Sequence, residues 1–153
     1  MEISVNVEGL AEIERKLALI PDRIGNRALR RALRKGANVI RDIARNNARR
    51  IDDPETREMI AKNIAVQSGG RKREKAAGGV MMRVGVMGGA RPMREREGLP
   101  GGNTTHWRFV EFGTSDTRAQ PFMRPAAAEG AGKAVEVIVQ AMNTEIDKEI
   151  AKL

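Results

Sequence analysis

Residues 22–51 constrain the fold most. Leu29, Leu33, Ala37, Ile40, Ala44 and Ile51 fall on one side of a helical wheel turning about 100° per residue. Arg23, Arg27, Arg30, Arg34, Arg41, Arg45 and Arg49 cluster about a third of a turn away. The pattern predicts one long helix with a core-facing line and a separate basic face. Ten Lys and Arg stand in this segment against Asp22 and Asp42, a net of +8. The whole chain also nets +8, so its basicity has a location. A solvated helix face is the plain reading. Contact with DNA or with an acidic neighbouring protein is the functional one, because few acids intersperse the stripe. Like charges at i, i+4 weaken an isolated helix, which favours an acidic cover.

The flanking elements follow from period and punctuation. Residues 2–8 alternate, with Ile3, Val5 and Val7 on one face, and predict a half-buried strand ended by Gly9. Leu10, Ile13, Leu17 and Ile20 have helical spacing, closed by Pro21. Asp53 and Pro54 suggest the capped start of a short helix. A strand is expected near 63–67 and another over Val80–Met87, with 68–79 between them as a flexible basic hairpin tip. Residues 88–105 hold two Pro and five Gly without periodicity and predict a second flexible loop. Trp107–Phe112 reads as the last strand. A long helix is expected from Phe122 to Leu153, with Ala128, Ala131, Val135, Ile138, Val139, Met142, Ile146, Ile150 and Leu153 as its apolar stripe and Gly130 and Gly132 weakening it.

The expected fold class is α+β: a small, mainly antiparallel sheet packed with the long basic helix and the long C-terminal helix. A chain of 153 residues suits a single domain, residues 1–153. Aromatics make up 3% and Tyr is absent, so the core must be aliphatic. Without cysteine, disulfides and thiolate metal sites are excluded, and the single histidine, His106, rules out a His-rich metal site. The opening MEISVNVEG has neither the basic nor the apolar region of a signal peptide, so folding in the cytosol is expected. No apolar run approaches membrane-spanning length, and no membrane partner is expected.

Catalytic constellations do not emerge. The glycines of VGVMGGA, residues 84–90, miss the spacing of both nucleotide-binding glycine motifs. His106 with Glu111 and Asp116 lacks a nucleophile at defined spacing. Asp52, Asp53 and Glu55 read as helix-capping acids before they read as metal ligands. No catalytic residue, metal or cofactor is therefore assigned, and the chain is expected not to be an enzyme.

The segment HWRFVEFGTSDTRAQPFMRPA, residues 106–126, carries the most information. Gly113 offers a turn that other residues adopt poorly, and Thr114, Ser115 and Asp116 can tie the loop to its own backbone. Pro121 and Pro125 stiffen the exit, while Phe122 and Met123 supply an apolar anchor. By turn chemistry alone this is equally an ordinary strand–loop–helix connection. The E-F-G-T and P-F-x-R-P-A pattern, however, resembles the signature of small tail-completion and head–tail joining (neck) proteins of long-tailed bacteriophages and prophages. The opening strand, Gly9-Leu10-Ala11-Glu12 and the long helix with Ala37, Ile40 and Ala44 are similar as well. Ile51-Asp52-Asp53-Pro54-Glu55-Thr56-Arg57 departs from the Pro-x-x-x-Gly turn of that family.

The resemblance implies a virion structural protein, assembled in the host cytoplasm, that forms a homo-oligomeric ring at the head-proximal end of the tail. It implies tail-tube or tail-terminator and head-connector proteins as partners. The candidate assembly interface is Glu111, Phe112, Gly113, Thr114, Gln120, Pro121, Phe122, Arg124 and Pro125. The candidate basic face is Arg23, Arg27, Arg30, Arg34, Arg41, Arg45 and Arg49. The alternative is a basic module contacting DNA phosphates without sequence preference through residues 23–49. Base-stacking aromatics are nearly absent, which counts against that alternative.

Overall fold

The computed structural model describes residues 3–4, 7–89 and 98–153. The class is α+β, with six helices and one antiparallel two-stranded sheet among the described residues. In chain order these are α1 (Leu10–Leu17), α2 (Asp22–Arg49), α3 (Ile60–Asn63), β1 (Ile64–Ser68), α4 (Gly70–Ala77), β2 (Met82–Val86), α5 (Trp107–Phe112) and α6 (Met123–Ile150). The chain divides into two compact units, one of residues 1–39, 67–83 and 131–153, the other of residues 40–66 and 84–130.

The first unit is built on α1, the first part of α2 and the second part of α6. Its core joins Ile13, Ile20, Ala28, Ala32, Ala141, Met142 and Ile146. The buried line on α2 is Gly25, Ala28, Ala32 and Gly36, at helical spacing and made of the smallest residues. That differs from the expected line of large aliphatics: Leu29, Leu33 and Ala37 are only half-buried beside it. The reason is helix separation. A Cβ on Gly36 would lie 2.8 Å from the Ala134 carbonyl oxygen on α6, so backbone meets backbone there. Arg31 pairs with Glu145 at 2.7 Å and with Glu149 at 3.1 Å. Both carboxyls sit below the ordinary range. Burial pushes Glu145 up, but the charges of Arg31 and Lys148 outweigh it; Glu149 is lowered chiefly by its bond from Lys152.

The second unit gathers Ala44 and Ala48 of α2, Ile60, Ala61, Ile64, and Phe122 and Ala126 around one core, with Val84, Val86, Trp107 and Val110 against it. Gly130 repeats the close approach, since a Cβ would lie 2.9 Å from Ile43. Its role is packing, and the cost of glycine in a helix is offset by this contact. Helix α3 starts where the Asp52 carboxylate accepts from the Ile60 and Ala61 amides at 2.9 and 3.0 Å. The expected cap at Asp53 is instead a turn, in which its carboxylate accepts from the Glu55 amide at 2.9 Å. Asn63 is buried and binds the 101–104 segment: it accepts from Gly101 N at 2.8 Å and donates to Gly102 O and Thr104 Oγ1 at 2.9 and 2.7 Å.

Strands β1 and β2 match two of the expected strands. Gly69 N donates to Met81 O and Met87 N to Asn63 O, both at 2.8 Å, closing the ladder at its two ends. Three local expectations are corrected. The tip at 68–79 holds helix α4, ended by Gly78 at φ +72. Trp107–Phe112 is a helix, because only a helical turn puts Trp107, Val110 and Glu111 on one inward side. Ile3, Ser4, Val7 and Glu8 carry no strand pairing; Glu2, Val5 and Asn6 of that expected strand lie outside the described residues, as do 90–97 of the expected loop at 88–105.

Candidate assembly interface

Helix α6 begins without an acid in its own first turn. Its free amides are met instead by Glu111, twelve residues before Met123 and 1% exposed. The Glu111 carboxylate accepts from the amides of Phe122, Met123 and Arg124 at 2.7, 2.9 and 2.9 Å. A carboxylate there satisfies orphan donors and faces the positive end of the helix dipole. Burial alone would raise its pKa. The three amides, with the Arg124 guanidinium, outweigh that and hold the carboxyl below the ordinary range.

Gly113 ends α5 at φ +76 and ψ 176, a region essentially reserved for glycine. A Cβ would also lie 2.8 Å from Ala119 N, because the loop folds back on itself. Thr114 clamps that loop: its amide donates to Thr117 O at 2.9 Å, and its hydroxyl accepts from the Thr117 amide at 3.0 Å. Gln120 N then donates to Val110 O at 2.8 Å. Asn47 donates to the Phe122 carbonyl at 3.3 Å. The turn from α5 to α6 is thus tied at every stage.

The predicted interface residues divide accordingly. Glu111 and Phe122 are buried and act as internal supports. Gly113 shapes the turn. Phe112, Thr114, Gln120, Pro121, Arg124 and Pro125 lie on the surface. The Arg124 guanidinium stands 4.9 Å from the Phe112 ring centroid. Sequence reasoning missed Phe109, which is 62% exposed beside Phe112 at 56%. The i, i+3 spacing of the two phenylalanines was the available signal once the segment is helical. A concavity of about 240 Å³ opens beside Phe109, lined by Ile51, His106, Val110, Thr117, Arg118 and Gln120 among others.

The basic face is not one uniform stripe. In the first unit Arg30 makes a two-pronged pair with Glu74 of α4, at 2.6 and 2.7 Å, and Arg34 is engaged as well. Arg23 and Arg27 are exposed and have no hydrogen bond or ion pair among the described residues. The Arg30–Glu74 pair sets α4, with exposed Arg71, Lys72, Arg73 and Lys75, beside this part of α2. In the second unit Arg41 pairs with Asp42 at 2.8 Å, Arg45 donates to Ile64 O at 2.9 Å, and Arg49 to Asn46 at 2.6 Å.

Fold and surface together define a helix-rich α+β chain with a rigidly tied helix entrance bearing exposed aromatics and cations. Among the described residues no cluster of His, Cys, Asp or Glu could hold a metal ion, and no helix is long and apolar enough to cross a membrane. Residues 11–113 match the HK97-gp10-like family model, described as "Bacteriophage HK97-gp10, putative tail-component". The chain belongs to this family of bacteriophage tail components. That places it among virion proteins, with a structural role in the tail and other virion proteins as neighbours. No curated protein and no solved structure matches the chain.

Proposed function

We propose that this chain assembles as a ring at the head-proximal end of the tail, completes the tail and supports head–tail joining. Its work in this reading is mechanical, without a catalytic step, and both units serve as one subunit assembled in the host cytoplasm. The observation that carries the reading is the α5–α6 turn in a chain of a phage tail family. Two phenylalanines project from a segment that Glu111, Gly113 and Thr114 hold rigid, which suits repeated docking against neighbours. Tail-tube or tail-terminator and head-connector proteins are the expected neighbours.

The test is removal of the gene from the phage or prophage that carries it, followed by electron microscopy. Filled heads beside unjoined tails are expected, with joining restored when the purified protein is added. Normal joined particles would overturn the proposal. A second reading, contact with DNA phosphates, is favoured by the exposed Arg23 and Arg27 of α2, the helix to which the Arg30–Glu74 pair ties the cation-rich α4. Such binding would be sequence-blind and steeply salt-dependent. An absence of DNA retention at low salt would remove it.

A further inference from the structure

Two surfaces of this chain are complementary to one another. The first is α5, where Phe109 and Phe112 are more than half exposed. Arg108 and Arg118 are exposed around them and Arg124 stacks on Phe112; across residues 105–125 the exposed acid is Asp116 alone, since Glu111 is buried and tied. The second surface lies in the first unit, along α6. There Val135 and Val139 floor a concavity of about 410 Å³, rimmed by Glu8, Glu136 and Gln140. That volume falls within the range of about 300–1,000 Å³ typical of sites that enclose organic groups. Glu8 has no ion pair among the described residues. Glu136 has only an exposed contact with Lys133 at 3.5 Å, of the kind that exchanges readily.

We propose that α5 of one copy docks into the Val135–Val139 concavity of the next, with Arg108 facing Glu136 and Glu8. Aromatic side chains and arginine are enriched at the buried centre of protein interfaces, and the apolar floor and acidic rim suit them. The donor and acceptor are different surfaces, so the contact is head-to-tail. Such contacts repeat from copy to copy until a rotation closes them into a ring. The inference rests on the reading of this chain as a self-assembling subunit and names the contact that would do the assembling. It also accounts for large apolar groups left in water on α5, which an isolated monomer gains nothing by exposing.

The test exploits the asymmetry. A donor-blocked chain carries Phe109→Ser with Phe112→Ser, both at exposed positions. An acceptor-blocked chain carries Val135→Lys with Glu136→Lys. Size-exclusion chromatography with light scattering follows the wild-type chain and both variants at rising concentration, with thermal melting as the control for folding. Each variant alone is expected to stay monomeric while wild type associates. Their equimolar mixture is expected to stop at a heterodimer, because one good donor meets one good acceptor and neither copy can extend. Either variant keeping the wild-type oligomer size would overturn this docking and leave the ring reading standing. A wild-type chain that stays monomeric throughout would overturn both. As a second measurement, the chain lacks cysteine, so one copy with Phe112→Cys and another with Gln140→Cys should form a covalent heterodimer on mild oxidation. Failure to cross-link within a persisting oligomer would also overturn the contact.

Discussion

Glu111 and Arg124 grip one another through both backbone and side chain. The Glu111 carboxylate accepts from the Arg124 amide at 2.9 Å and from its Nε at 3.1 Å, while Arg124 Nη2 donates to the Glu111 carbonyl oxygen at 2.7 Å. The pair joins the last residues of α5 to the first turn of α6. The acid of the E-F-G-T pattern and the arginine of P-F-x-R-P-A are thereby two halves of one device.

Glu111→Gln replaces a carboxylate that accepts from three amides with an amide that matches them poorly. A loss of about 2–3 kcal/mol is expected by urea unfolding, the scale of hydrogen bonds to a charged group. The folded pKa lies below the ordinary value of 4.5, so this stabilisation is present above that value and is lost as pH falls through the folded pKa. Wild type should lose stability below about pH 4.5, and the Gln variant should show a shallower acid limb. Equal acid limbs would refute the assignment.

Gly113→Ala meets both a positive φ and a backbone neighbour at 2.8 Å. A cost of about 1–3 kcal/mol is expected, with amide exchange quickening at Thr117 and Gln120. Unchanged stability would mean that the turn rearranges without strain.

Gly36 and Gly132 make a paired test within one unit. Replacing a helical glycine by alanine normally gains about 0.5–1 kcal/mol. Gly132→Ala should gain that much, since nothing beyond its own stretch of helix lies within 4 Å of its added Cβ. Gly36→Ala should reverse the sign and lose about 1–3 kcal/mol through overpacking, because its Cβ would approach Ile138 and the Ala134 carbonyl. Thermal melts of the two variants should move in opposite directions.

Asn63→Ala removes both side-chain bonds to the 101–102 backbone and the bond to Thr104. A loss of about 1–3 kcal/mol is expected because buried partners are left unsatisfied. Hydrogen exchange at Gly101 should rise first. Protection persisting there would show that the segment is held by other contacts.

The basic face separates into two kinds of arginine. Arg23→Gln with Arg27→Gln should leave stability within about 0.5 kcal/mol, as for other surface changes, while lowering any salt-dependent retention on DNA. Arg45→Gln removes the bond to Ile64 O and should cost about 1 kcal/mol. The reverse order of effects in a melting experiment would contradict this division.

By itself the sequence determined the elements that depend on near neighbours in the chain. The long helices expected at 22–51 and 122–153 lie at 22–49 and 123–150, because a run of helical period needs no distant partner to be recognised. The antiparallel strand pair, the α+β class and the need for glycine at 113 were legible for the same reason: alternation and backbone sterics are local. Which residues face inward was decided by the tertiary structure. On α2 the close approach of α6 at Gly36 selects the Gly–Ala line over the leucines, and no periodicity in α2 alone announces how near its neighbour comes. Trp107–Phe112 has strand-forming composition yet winds into a helix, since burying Trp107, Val110 and Glu111 together outweighs propensity. Asp52 and Glu111 cap helices eight and twelve residues away in the chain, and Arg30 meets Glu74 across 44 residues. Such partners are distant in sequence, and only the folded chain brings their charges within hydrogen-bonding range.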